Sequence, residues 1–464
     1  MISLRNSLRP VNRLFPEIIA LCATFVSDAD PKPIVSLTHV CRYWRRAIVS
    51  NPRNWAAIGS GWKRLVPLCL ERAGAVHLNV SISVSDIRGD EDFLQALLPH
   101  TSRISHLSLT GYSSIERVAD DLPGFFTSPM SNLTSLELEQ IEAPTESFPS
   151  DETPAPPLFR DVSKLKSLYS TRTPLYPTVF NITSLVELKL VGYTGTLHFR
   201  KFIKFLHLNP SLETVTLDLQ FAEGSVRIVP DRTVSLPQLR QLAFTCASAA
   251  DTRGLLSCVS LRRGVHIKIQ ASQSNASTAL ASFLPSPPTP IQELLTPVTT
   301  IKYQYSPRWF QIFGGDGQLS FQTPQTPWTL YGEFNLFVIE TTREYHVNIY
   351  HNLSSALEQL SALEALVFSR VDQFPGSLPE LAKEPIPCPS LKTIAFFDCT
   401  VTGSMIKELE KVLEKRRDST AARLYRVVIV NNTRALPDLQ SILQLQRFVP
   451  CVDVRVGNEL PDLL

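Results

Sequence analysis

The sequence predicts an α/β fold organised as an α+β repeat, with a small N-terminal helical module followed by a long, irregular series of strand-and-helix units. Three observations predict it. Apolar residues at helical spacing are dense between Leu14 and Trp55, short Leu-x-Leu strands recur from Leu78 to Val456, and two proline-rich stretches interrupt the series. A chain of 464 residues is long for one compact core, so a small module plus a large multi-part domain is expected. With 44% hydrophobic and 19% charged residues, the chain has the makeup of a folded protein.

The N-terminal module comes first. Phe15, Ile18, Ile19, Cys22, Phe25 and Val26 follow a spacing of three and four, Pro16 suits a first helical turn, and Glu17 complements the positive helix end. Ser27 to Pro33 breaks the pattern with turn formers, and Asp30-Pro31 is suited to cap and start the next helix. Ile34, Leu37, Cys41, Trp44 and Ile48 repeat the spacing, with Val40 beside them. His39, Arg42 and Arg46 fall opposite, giving an amphipathic helix with a basic back. Asn51-Pro52 supplies a further cap and first-turn proline, and Trp55 and Ile58 add a third apolar anchor. Helices this short cannot bury so much apolar surface alone, so a partner or the following domain is expected to cover part of it.

Gly61 to Leu70 reads as a connecting helix, and Leu78, Val80, Ile82 and Val84 alternate as the first strand. Phe93 to Leu98 is a short helix, and Ile104 to Thr110 a strand containing Leu107-Ser108-Leu109. The pattern returns at Leu133 to Leu138, Leu185 to Leu190, Leu212 to Leu219 and Leu239 to Phe244. The steps from Leu188 to Val215 to Leu242 are about 27 residues each, inside the range of leucine-rich repeats. Residues 101–464 are therefore expected to form an irregular leucine-rich-repeat solenoid, with helices such as Arg200 to Leu208 between strands. Weaker copies follow at Ile267 with Ile269, Leu319 with Phe321, Leu363 to Phe368, Leu391 to Phe396, Leu424 to Val430 and Val452 to Val456. Helices are expected at Leu353 to Leu363 and Met405 to Leu413. Residues 141–158 carry five prolines and four acids, and 284–300 five prolines; both read as loops, the second dividing the series. Tyr303 to Trp328 is the least repeat-like part, with a turn at Gly314 to Gly317. In Leu-x-Leu strands the intervening side chains face outward, so Ser108, Glu137, Lys189, Thr216 and Asp218 are candidates to touch a target. Each reads equally well as an ordinary solvated strand position.

Composition narrows the chemistry. Net charge is only +2, and the densest basic run, Lys411 to Arg417, is interrupted by a glutamate and reads as a solvated helix end, so no nucleic-acid partner is expected. The eight cysteines are scattered without a CxxC pair or a Cys/His cluster, so reduced thiols, no metal and no cofactor are expected. Met1-Ile2-Ser3-Leu4-Arg5 lacks the apolar core of a signal peptide, and the longest apolar runs, such as Ile18 to Val26, are far too short for a membrane span. The expected compartment is cytoplasmic and/or nuclear, with no membrane partner. No Gly-x-Ser-x-Gly or His-Glu-x-x-His motif occurs, the nine histidines are dispersed, and no Lys-Ser/Thr follows the glycines at 314–317. A non-enzymatic role is expected.

Leu14-Phe15-Pro16-Glu17-Ile18-Ile19, then Val40-Cys41-Arg42-Tyr43-Trp44-Arg45, then Asn51-Pro52-Arg53-Asn54-Trp55 resembles an F-box, in the F-box-like form common in mushroom-group fungi. The family pattern runs Leu-Pro-x-Glu-Ile/Leu, Val-Cys-Arg-x-Trp and Pro-x-x-Trp; Phe15 stands where the family usually has its first proline. Leu70 to Gly74, Leu78 to Ile82 and His100 to Leu109 are similar to the segment that follows the box in those proteins, so the likeness spans about the first 110 residues. It implies an F-box-like helical domain over residues 1–60 and a connecting helix with the first strand and helix over 61–100. It further implies a substrate-recognition adaptor of a Skp-cullin-F-box ubiquitin ligase, with Leu14, Pro16, Ile18, Val40, Cys41 and Trp44 in or beside the interface with the Skp-type adaptor. Cullin joins through that adaptor, Trp55 packs the box on its neighbour, and the C-terminal domain recruits an unknown protein substrate. The alternatives are an F-box or leucine-rich-repeat interaction scaffold acting outside ubiquitin ligation, and an interaction protein whose first helices only cap the domain.

Overall fold

Alternation of apolar and polar residues makes a strand that buries one face, and continuous apolar runs make strands buried on both. Both kinds occur here. The computed structural model describes residues 14–27, 32–87, 91–111, 123–139, 161–172, 182–192, 199–218, 233–271, 283–285, 298–305, 308–314, 317–322, 344–347, 357, 360–369, 377–383, 386–417, 423–431 and 437–457. The chain divides into two compact units, Met1–Ser225 and Val226–Leu464.

The first unit opens with helices α1 (Pro16–Ser27), α2 (Lys32–Thr38) and α3 (Arg42–Val49). A single turn of 3-10 helix, Pro52–Trp55, leads into β1 (Ala57–Gly59). Then come α4 (Val66–Ala73), β2 (Leu78–Ser83), α5 (Glu91–Leu97), β3 (Ile104–Thr110), β4 (Ser135–Glu139), β5 (Ser167–Thr171), β6 (Glu187–Val191), α6 (Phe199–Leu208) and β7 (Thr214–Leu217). Strands β1 to β7 pair in chain order, every pair parallel. Their register lines up Val80, Leu107, Leu136, Leu168, Leu188 and Val215 in one buried row. Ile82, Leu109, Leu138, Ser170, Leu190 and Leu217 form the next. Phe202 and Phe205 of α6 are also buried. At the end of that helix the buried Asn209 donates through Nδ2 to the carbonyls of Ile182 (2.8 Å) and Phe205 (2.9 Å) and accepts the Leu185 amide at 3.0 Å.

The second unit contains β8 (Val234–Ser235), β9 (Gln241–Ala247), α7 (Ala249–Cys258), β10 (Val259–Ser260), β11 (His266–Ala271), β12 (Val298–Tyr305), β13 (Arg308–Gly314) and β14 (Gly317–Gln322). It continues with β15 (Glu344–Val347), β16 (Ala365–Ser369), β17 (Thr393–Phe397), α8 (Gly403–Arg417), β18 (Arg426–Asn431), α9 (Leu439–Leu445) and β19 (Cys451–Val456). Strands β8 and β10 form a small parallel pair of their own. The main sheet runs β9, β11, β14, β13, β12, β15, β16, β17, β18, β19. Pairing is antiparallel through β12, β13 and β14 and parallel elsewhere, and Gly314 pairs with Gly317 to close the glycine hairpin.

The expectation of an irregular leucine-rich-repeat solenoid is therefore corrected to an α/β fold on mainly parallel sheets. The antiparallel meander β12–β14 reverses strand direction inside the supposed repeat array. In the first unit, the equivalent buried residues Leu107, Leu136, Leu168, Leu188 and Val215 are unevenly spaced in sequence. The physical reason is that a Leu-x-Leu pattern reports only which side of a strand is buried; it fixes neither the connection nor the direction of the next strand. The proline-rich loop read at 141–158 lies outside the described residues, as do 286–297 of the one read at 284–300, whose last three residues instead begin strand β12, and most of the helix expected at Leu353 to Leu363.

The basic run Lys411 to Arg417 also departs from expectation, because Arg416 is fully buried. Met405, Leu409, Val412 and Arg416 fall on one helical stripe of α8, so the arginine sits in the core-facing register. Its guanidinium donates to the carbonyls of Leu381 (3.1 Å), Pro387 (3.0 Å) and Cys388 (2.7 Å). Burial lowers the Arg416 pKa and pushes the neighbouring Cys388 thiol up to about 12, and that thiol donates to the Leu357 carbonyl at 3.1 Å.

Candidate functional site

Helix α1 begins where Phe15 accepts the amides of Ile18 and Ile19 through its carbonyl, with Pro16 free of any need to donate. The helix carries apolar residues nearly all round, and the structure separates them into two faces. Ile19, Ala20 and Ala23 are buried where α1 packs on α3. Phe15, Ile18, Leu21, Phe25 and Val26 are exposed, Phe15 and Phe25 by 73% each.

The single helix expected from Ile34 to Ile48 is broken. Cys41 is extended (φ −162°, ψ 172°) and serves as the N-cap of α3, so Val40 lies in the turn between α2 and α3, 55% exposed. Arg45 Nε donates to the Thr38 carbonyl at 2.9 Å, satisfying the open end of α2, and the Thr38 hydroxyl donates to Val35 O at 2.7 Å. Tyr43 donates through its hydroxyl to the Leu14 carbonyl at 2.7 Å, which fastens the entry of α1 to α3.

The floor of this module is polar and well bonded. The Thr24 hydroxyl donates to Asn54 Oδ1 (2.8 Å), and Asn54 Nδ2 and Trp55 Nε1 both donate to the Ile48 carbonyl, at 3.1 and 3.3 Å. Asn51 accepts the Arg53 amide, and the Arg72 guanidinium of α4 lies 4.3 Å from the centre of the Trp55 ring. Trp55 thus joins the helices to the segment that follows.

Of the residues expected at the adaptor interface, Leu14, Pro16, Ile18 and Val40 are exposed, and Cys41 and Trp44 are half-buried. Together with Phe15, Leu21, Phe25, Val26 and Tyr43 they make an apolar surface on one small module. The sequence places Phe15, Phe25 and Val26 on the helix's apolar stripe but assigns none of these five residues to the interface, although the small Ala20 and Ala23 mark the buried face and so leave the bulkier side outward.

A second surface lies on the first unit's sheet. The outward row runs Ser81, Ser108, Glu137, Tyr169, Lys189, Thr216. It therefore brings four of the five expected target-facing residues into one line. Lys189 Nζ lies 4.5 Å from the centre of the Tyr169 ring, His106 Nε2 is 3.8 Å from Glu137 Oε2, and Ser167 donates to Glu187 Oε2 at 3.2 Å. Asp218 sits apart, accepting the Gly192 amide at 3.2 Å, with its own amide donating to Leu190 O at 2.6 Å. Burial raises its pKa against the lowering effect of that Gly192 bond.

Among the described residues no group of three or more His, Cys, Asp or Glu is arranged to hold a metal, and Cys22, Cys41, Cys69, Cys258, Cys388, Cys399 and Cys451 are free thiols. Among the same residues no helix is long and apolar enough to cross a membrane. No protein-family model and no curated protein matches the sequence.

Proposed function

We propose that this chain is a substrate-recognition adaptor of a Skp-cullin-F-box ubiquitin ligase. The observation that carries the reading is an exposed apolar surface on α1, the α2–α3 turn and the start of α3: Leu14, Phe15, Ile18, Leu21, Phe25, Val26, Val40 and Tyr43 stay exposed on a module whose floor is held by hydrogen bonds. A folded protein rarely leaves so many large apolar side chains together in water, and such a patch marks a protein interface. Three of its residues, Leu14, Ile18 and Val40, stand at positions that the F-box resemblance places in or beside the interface with a Skp-type adaptor, and cullin joins through that adaptor. The polar row centred on Tyr169 and Lys189 supplies a surface for a protein target. The chain contributes no bond-making group; it raises the effective concentration of the target's lysines near the conjugating enzyme and orients them.

The test uses the purified full chain and a Skp-type adaptor. Wild type is expected to bind, and Leu14→Ala combined with Pro16→Ala to weaken binding at least about tenfold, the cost of trimming interface anchors. Unchanged binding overturns the reading. Recovery of cullin in the same complex, with accumulation of the target when residues 14–55 are deleted, separates ligase work from scaffolding.

A further inference from the structure

A second apolar patch lies at the last strand of the second unit. Among the described residues, the large apolar side chains left exposed outside the N-terminal helices are Tyr425, Leu439, Leu443 and Val456, all on or beside β18, α9 and β19. Among the same residues β19 pairs with β18 alone, so its other edge is open. The amides of Cys451 and Gly457 donate inward, to Tyr425 O (3.1 Å) and Asn431 O (3.4 Å). The alternate residues, Val452, Val454 and Val456, therefore direct their N–H and C=O groups outward from the edge. An open strand with three outward-bonding valines is a template for another strand.

We infer that this edge pairs with the same edge of a second copy of this chain, antiparallel and centred on Val454. The charge pattern chooses both the occupant and the register. Hydrogen-bonded pairs in such a ladder must join residues that both face outward, so only three registers leave most of β19 paired. Shifting the centre toward Asp453 sets Asp453 against its own copy, and shifting it toward Arg455 does the same with arginine; like charges directly opposite are unfavourable. Centring on Val454 places Asp453 opposite the partner's Arg455, twice by symmetry, and Val452 opposite the partner's Val456. The charges already meet along the strand: Arg455 Nη2 lies 2.7 Å from Asp453 Oδ2, and Arg426 lies 3.2 Å from the same oxygen. Self-pairing extends that network across the axis.

Val452 and Val454 share a sheet face with Val427, Ile429, Ile394 and Phe396. The cluster of Ala365, Val367, Ala395, Val428 and Val430 on the other face contains no residue of α8 or α9. Helix α9 packs on α8, and α8 and α9 follow one another in the same order as β17, β18 and β19. Helix α9, which leads into β19, leaves the i, i+4 pair Leu439 and Leu443 exposed. This inference is independent of the adaptor reading.

The experiment is sedimentation of the full chain up to about 100 µM, a range that spans micromolar dissociation constants. Wild type is expected to form a reversible dimer. Val454→Pro, which removes an outward N–H without touching the ladder to β18, is expected to be monomeric with an unchanged melting curve. Asp453→Arg alone and Arg455→Asp alone each weaken the dimer at least about tenfold by opposing like charges twice. A mixture of those two variants restores it, because each strand then meets its complement. A monomeric wild type, a dimer indifferent to Val454→Pro, or a mixture that fails to dimerise overturns the inference, as does capture of a different protein's strand at this edge while the chain itself stays monomeric.

Discussion

Strand β4 reads Ser-Leu-Glu-Leu-Glu and buries its two leucines, whereas β16 reads Ala-Leu-Val-Phe-Ser and buries its first four residues. The same contrast holds between strands β2–β7 of the first unit and β16–β18 of the second. In the first unit the row Ser108, Glu137, Tyr169, Lys189, Thr216 meets water. In the second, Val367, Ala395 and Val428 of one row are fully buried, and the row passes to His346 of β15 on one side and to Asp453 of β19 on the other. Parallel sheets are usually covered on both faces, so a parallel sheet with a polar face is the less common arrangement. That difference leaves a water-facing row on β2–β7 where β16–β18 keep both faces buried.

One pair of substitutions breaks or sharpens the contrast. Val428→Lys buries an uncompensated charge and is expected to cost more than about 4 kcal/mol, enough to unfold the second unit. Ser108→Lys, on the outward row of the first unit and beside Glu137, is expected to change stability by no more than about 0.5 kcal/mol. Urea unfolding of the two variants measures both. Equal costs would mean that the polar row is covered too.

Arg416 is the next largest effect. Arg416→Ala leaves the carbonyls of Leu381, Pro387 and Cys388 buried without their donor and opens a cavity, at an expected cost of about 3–5 kcal/mol. A cost near zero would show that water reaches those carbonyls.

Phe25→Ser tests the first helix in the opposite sense. Removing an exposed phenyl ring is expected to leave the melting temperature almost unchanged, and adaptor affinity to fall about tenfold by titration calorimetry. A large drop in stability would make Phe25 a core residue instead.

The smallest effect is acid-dependent. Hydrogen bonds from Arg455, and then from Arg426, hold the Asp453 carboxyl below its usual pKa. A carboxylate with a depressed folded pKa stabilises the fold above its unfolded pKa of about 4, and that contribution disappears as pH falls through the folded value. Asp453→Asn is therefore expected to cost less than about 1 kcal/mol at neutral pH and nothing in strong acid. A cost that grows on acidification contradicts the assignment.

These contrasts were partly legible in the residues. Strand β3 and the cores of β4, β6, β7 and β9 announce themselves by Leu-x-Leu, because one buried face is what that pattern encodes. Strand β5 does not, since Ser170 occupies an inward position, and β1 has only three residues. The break between α2 and α3 is hidden because Ile34, Leu37, Cys41, Trp44 and Ile48 stay in helical phase across it; only the extended Cys41 reveals it. The two faces of α1 were confounded for a related reason: a helix apolar on nearly every side does not say which side finds the core. Arg416 was readable from its spacing with Met405, Leu409 and Val412, but charge argued for solvent, and three buried carbonyls outweigh that argument.

Amide hydrogen exchange of the full chain, with and without a Skp-type adaptor, tests the central claim most directly. The expected result is slowed exchange confined to residues 14–27 and 38–46, with the strands of both sheets unchanged. Binding that protects the row from Ser108 to Thr216 instead, or no protection at either helical segment, contradicts the claim that the apolar face of α1 and the α2–α3 turn is the adaptor's seat.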